Sequence, residues 1–120
     1  MSWTKRRAFP RARIRLEAAY EDANRQVFLQ TRDLSEEGVY FYSPDPPPVG
    51  SAARLVLDLP GHPEILRIRG SVARRDTGTQ PGFAVRFDHD EGDRAGSSQR
   101  SALRKFVSDT ARSTGELQSS

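Results

Sequence analysis

Apolar residues fall on alternate positions through most of the chain. Ile14, Leu16, Ala18 and Tyr20 alternate with Arg13, Arg15, Glu17 and Ala19. In an extended chain successive side chains point to opposite faces, so this period of two predicts a half-buried strand. Residues 21–25 are polar and fit a hairpin turn. Val27, Leu29 and Thr31 predict a second strand running into Asp33, and the aromatic stretch over residues 39–42 a third. Residues 43–50 hold Pro44, Pro46, Pro47 and Pro48, a density that no helix or central strand survives. Leu55, Leu57 and Leu59 predict a fourth strand, ended by Pro60-Gly61. Leu66, Ile68, Gly70 and Val72 predict a fifth, with Arg67, Arg69, Ser71 and Ala73 on its other face. Phe83, Val85 and Phe87 predict a sixth. Six short strands at even spacing point to a small antiparallel barrel or sandwich. Leu103, Phe106, Val107 and Thr110 recur at helical spacing behind Ser97 and Ser98, either of which can cap the helix. The expected fold is therefore all-β with one C-terminal helix: a six-stranded antiparallel small β-barrel, with Leu103 and Phe106 buried across an open barrel end.

A length of 120 residues bounds this to one domain with one core. The absence of cysteine removes disulfide scaffolds, cysteine nucleophiles and thiolate metal sites. His62, between Gly61 and Pro63, and His89, in an acidic loop, suit neither a zinc site nor a nucleophilic triad. Asp88, Asp90, Glu91 and Asp93 lack the spacing of a calcium loop, and no glycine-rich phosphate loop is present. The expectation is a protein that is not an enzyme and carries no metal or cofactor. No apolar run approaches the roughly 20 residues that cross a bilayer, and the basic N-terminus lacks the apolar stretch of a secretory signal. A cytoplasmic location without membrane contact follows as an expectation.

Charge is unevenly placed. Residues 1–15 carry Lys5, Arg6, Arg7, Arg11, Arg13 and Arg15 and no acid, so against a total of +3 the remainder is net negative. Such a dense positive field implies an anionic partner. The division expected is a flexible basic arm over 1–12, a barrel with its helix over 13–107 and a disordered tail over 108–120.

Two motifs stand out. Arg7-x-x-x-Arg11 precedes the first strand, and Asp33-Leu34-Ser35-Glu36-Glu37-Gly38 forms a D-x-S-x-x-G turn between the second and third. Taken alone, the first is a solvated arm and the second a self-capping turn with glycine at positive φ. Together, in this order and with these strands between them, they make the chain resemble the PilZ domain family over residues 5–107. The likeness extends to Val49-Gly50 at the end of the connector, the Gly70-Ser71-Val72 strand and the strand over residues 82–87. The resemblance implies a receptor for the second messenger cyclic di-GMP. All five signature positions, Arg7, Arg11, Asp33, Ser35 and Gly38, are filled as ligand-binding members fill them.

The chemistry of those residues fits the ligand. An arginine fork is bidentate toward phosphate oxygens or guanine O6 and N7, and its plane stacks on purines. Asp33 can accept from guanine N1–H and N2–H₂, a donor pair adenine lacks. Ser35 can donate or accept at the same base, and Gly38 either lets backbone come close or takes a positive φ. The expected event is closure of the arm over the nucleotide. Lys5, Arg74 and Arg75 are possible auxiliary contacts. In PilZ-like domains an arginine just before the first signature arginine, here Arg6, accompanies two intercalated ligands per protomer, so two cyclic di-GMP molecules per chain are expected. With no output domain, the chain is expected to signal through an unidentified downstream protein. The rival readings are a nucleic-acid-binding small barrel, disfavoured because the barrel is acidic in sum and shows no basic stripe, and a structural adaptor that has lost its ligand, whose mark would be missing motifs.

Overall fold

The structure, a computed structural model, describes residues 12–61, 65–88 and 99–110. The expected arm through Arg11, both histidines, the Ser97/Ser98 helix cap and residues 111–120 lie outside the described residues, while residues 108–110, expected in the tail, are helical. The strands are β1 (Ala12–Arg13), β2 (Glu17–Glu21), β3 (Gln26–Leu34), β4 (Gly38–Tyr42), β5 (Ala52–Asp58), β6 (Ile65–Asp76) and β7 (Gly82–Phe87). Residues 99–110 form a helix, α1.

All pairings are antiparallel, and they run β3–β2–β5–β6–β7–β4 with β4 returning to β3, which closes a six-stranded barrel. The expected first strand over residues 13–20 is split between β1 and β2, and Ala12, expected in the flexible arm, is paired and buried in β1. Ala12 faces Leu34 and Arg13 faces Asp33, but Glu17 faces Gln30, so one extra residue has entered the first strand between them. The Thr31 side chain fills the gap: its hydroxyl donates to the Ile14 carbonyl (2.6 Å) and accepts from the Leu16 N–H (2.9 Å). Alternation of apolar residues cannot reveal this break, because Ile14 and Leu16 still pack on the core from within it.

The inward positions are those the period-two pattern selects. Tyr20, Phe41 and Phe83 meet in a triangle with ring centroids 5.1–6.1 Å apart, the two Tyr20 contacts being edge-on. Edge-to-face contacts add about 0.5–1.5 kcal/mol each beyond burial. Leu34, Val39, Leu55, Leu57, Leu66, Ile68, Val72 and Val85 are among the residues packed with them in the core. At the β2–β3 turn the Tyr20 hydroxyl donates to Asp22 (2.6 Å), whose other oxygen accepts the N–H groups of Asn24 and Arg25. Burial, and then this bond to Asp22, push the Tyr20 hydroxyl pKa up.

α1 lies on the core through Leu103 and Val107, both buried, while Phe106 is only half-buried. The expected pair was Leu103 and Phe106. Positions four apart lie more nearly on one line of a 3.6-residue helix, so Val107 takes the deep place.

Candidate functional site

The D-x-S-x-x-G residues sit where β3 turns into β4, and three strands set their surroundings. Thr31 faces Phe41 but Asp33 faces Tyr40, so Arg32 is an extra residue in β3. A bulge of this kind re-aims side chains, and here it turns Arg32 and Asp33 to the same outer side. Arg32 Nε donates to Asp33 Oδ2 at 2.9 Å. The Arg32 guanidinium carbon lies 3.8 Å over the centre of the Tyr40 ring. Tyr40 points outward between the core residues Val39 and Phe41, yet it is only 2% exposed. Arg32 covers it, and Gly82 beneath it has no side chain: a Cβ there would come within 2.6 Å of the ring. The Tyr40 hydroxyl donates to Asp76 (2.7 Å), and its pKa is raised, first by burial and then by that bond.

A third extra residue, in β6 between Val72 and Arg74, brings Arg74 opposite Ala84, which in turn faces Tyr40. The Arg74 guanidinium is 5.6 Å from the Tyr40 ring and 3.7 Å from Asp76. Arg13, Asp33, Tyr40, Ala84 and Arg74 thus form one row across four strand boundaries. Of the two possible auxiliary arginines in the barrel, Arg74 joins the neighbourhood of Asp33. Arg75 sits one position on, opposite Phe83, and is exposed. Lys5, Arg6, Arg7 and Arg11 lie outside the described residues. Arg11 is next in sequence to Ala12, and Ala12 pairs with Leu34 inside the second motif.

Ser35 and Gly38 have structural work in this turn. The Ser35 hydroxyl is buried, accepts from the N–H groups of Glu37 (3.1 Å) and Gly38 (3.2 Å) and lies 3.4 Å from the Gly38 carbonyl. The Ser35 hydroxyl therefore caps the turn. The positive φ entertained for Gly38 is not found; among the described residues only Gly50 and Gly61 have it. Gly38 instead permits close approach, because a Cβ would strike the Val85 carbonyl oxygen of β7.

Glu36, unremarked in the sequence, is 4% exposed. Arg104 grips it with two bonds (2.9 and 3.2 Å) and Arg100 with a third (3.1 Å), while Arg100 also reaches Glu37 (3.2 Å). The turn is thereby tied to α1. The only sequence signal was a pair of arginines four apart on the helix. The Arg104 bonds, against a partly opposing cost of burial, hold the Glu36 carboxyl below its ordinary pKa of 4.5. A carboxylate with a depressed folded pKa stabilises fully above its unfolded pKa, and that stabilisation is lost as pH falls through the folded value. Glu36→Gln is expected to cost about 1–2 kcal/mol at pH 7, discounted because Arg104 is open to solvent. Thermal melts at pH 7 and pH 3 check this: the gap between wild type and variant should narrow in acid, and a gap of constant size would refute the role of the charge.

Elsewhere on the outer wall, Glu21 faces Arg54 and Arg54 faces Arg69, while Asp88, just past β7, donates its N–H to the Arg69 carbonyl. Arg54, Arg67 and Arg69 are exposed neighbours on this wall, with Glu21 and Asp58 at its margins. Among the described residues no group of three or more histidines and acids could hold a metal, and no helix is long and apolar enough to cross a membrane.

The PilZ domain family model matches residues 5–108. The chain belongs to the PilZ domain family. Such domains are in general ligand-binding and adaptor domains, and receptors for cyclic di-GMP. The closed barrel of this PilZ domain is similar to solved structures. One is the Bacillus subtilis inhibitor of motility MotI/DgrA, at 16% identity and a TM-score of 0.69, covering 89% of this chain and 52% of that one. Another is the PilZ domain of CeSA from a cellulose-synthesizing bacterium, at 19% identity and 0.58, covering 81% and 93%. A third is a tetrameric PilZ protein of Xanthomonas campestris that self-assembles through a helical bundle, at 19% identity and 0.54, covering 77% and 49%. At these identities the likeness speaks for the fold. This PilZ domain spans about half the length of the MotI/DgrA chain. No curated protein matches it.

Proposed function

We propose that this PilZ domain is a cyclic di-GMP receptor that acts in the cytoplasm through a partner protein. The observation that supports it most is the pairing of Ala12–Arg13 with Leu34–Asp33, which leads the chain straight from the Arg7-x-x-x-Arg11 motif to the carboxylate of the second motif. Arg7 and Arg11 bind the phosphates and stack on the bases. Asp33 accepts from guanine, while Ser35 and Gly38 hold the turn that presents it. Ligand closes the arm over the barrel, and the closed arm is what the partner reads. Arg6 and Lys5 add the charge needed for two intercalated ligands, whose four phosphates outnumber the Arg7–Arg11 pair.

Calorimetric titration with cyclic di-GMP tests this. Arg7→Ala or Arg11→Ala should each weaken binding roughly ten- to a hundredfold, the size of one lost charge-assisted bond. Wild type should take two ligands per chain and Arg6→Leu should shift toward one. Unchanged affinity in both signature variants would sink the receptor reading; a wild-type stoichiometry of one would sink the part played by Arg6.

A further inference from the structure

Arg32 is not one of the five signature residues, yet among the described residues it is the cation seen bonded to Asp33. Its Nε is tied to Asp33 Oδ2 at 2.9 Å, and its guanidinium lies 3.8 Å over the Tyr40 ring. Tyr40 is itself fixed by its bond to Asp76 and by the bare backbone of Gly82 beneath it. One side of the guanidinium is committed to the ring. The Arg32 side chain is nevertheless 36% exposed, so its other side is open to solvent. The result is a flat cation held in place beside the carboxylate that reads the ligand. Its ordering cost is already met in the folded protein, and such preorganisation favours binding.

We propose that Arg32 is a further ligand-contacting residue: its outward face is a stacking plane for a guanine of the bound nucleotide. This rests on the cyclic di-GMP reading above. A guanidinium stacks on a purine through its plane, whereas a lysine offers a point charge and no plane. Tyr40 backs the plane from below, so the base completes a three-layer stack of tyrosine, arginine and guanine. The simpler alternative is that Arg32 only neutralises the buried Asp33, a role that lysine could fill.

The test is titration of cyclic di-GMP into wild type, Arg32→Lys and Arg32→Ala, each first shown to be folded by its circular dichroism and melting temperature. Both variants are expected to lose roughly ten- to a hundredfold in affinity, the size of one base-stacking contact. In wild type labelled at arginine nitrogen, the Arg32 Nε–H resonance should move upfield as ligand is added, through the ring current of the base. Wild-type affinity in Arg32→Lys would reduce Arg32 to a counter-ion and overturn the proposal. Tighter binding in either variant would show that Arg32 competes with ligand for Asp33, and would also overturn it. No binding by wild type would overturn the receptor reading itself, an outcome distinct from binding that ignores Arg32.

Discussion

Asp33→Ala is expected to make cyclic di-GMP and cyclic di-AMP nearly equivalent to this protein, with wild type preferring the guanine ligand by roughly a hundredfold or more. Asp33 is 5% exposed and faces Tyr40 in the ladder, so its position is set by two strands rather than by a loop. A buried carboxylate costs free energy unless its lone pairs are used. Arg32 occupies one of its oxygens. A guanine edge brings two more donors, whereas adenine presents an acceptor where guanine has N1–H. A site whose carboxylate receives donors from its ligand rejects an analogue that turns an acceptor toward it. Removing the carboxylate removes the penalty on adenine along with the gain from guanine, so affinity and selectivity should fall together. Parallel calorimetry with the two dinucleotides checks it. Equal binding of both by wild type would mean that the protein reads phosphate alone.

Gly38→Ala should be the most destabilising single methyl added to the signature. The new Cβ would collide with the Val85 carbonyl oxygen, and that atom belongs to the backbone of the next strand. Relief requires β4 and β7 to part, but the five residue pairs from Gly38–Arg86 to Tyr42–Gly82 hold them together. Forced overpacking typically costs about 1–3 kcal/mol, which for a domain near this size lowers the melting temperature by roughly 4–8 °C per kcal/mol. A melting temperature within experimental error of wild type would show that the two strands separate freely. Because the clash is internal to the barrel, the glycine of the motif serves the fold. Ser35, whose hydroxyl caps the turn, does the same. Of the three fixed residues in D-x-S-x-x-G, Asp33 is the one on which the proposed guanine recognition rests.

The strands, the barrel class and the core were legible in the sequence, since Leu55, Leu57, Ile68 and Val85 occupy alternate positions and alternation depends only on neighbours along the chain. The two motifs were legible for the same reason: each is a short run with fixed spacing. Tertiary structure decided the rest. One extra residue near Ile14, one at Arg32 and one between Val72 and Arg74 change no composition and break no motif, yet each shifts the cross-strand register by a single position. That shift turns Arg32 onto Tyr40 and brings Arg74 to the same ring. It makes a buried residue of a tyrosine that alternation places in solvent. Glu36 reads as a turn residue in solvent until α1, 64 and 68 residues away, lays Arg100 and Arg104 over it. Local pattern fixes which face a side chain takes. Which partners wait on that face depends on strand offsets and on helix docking, and both are set by contacts between residues far apart in the chain.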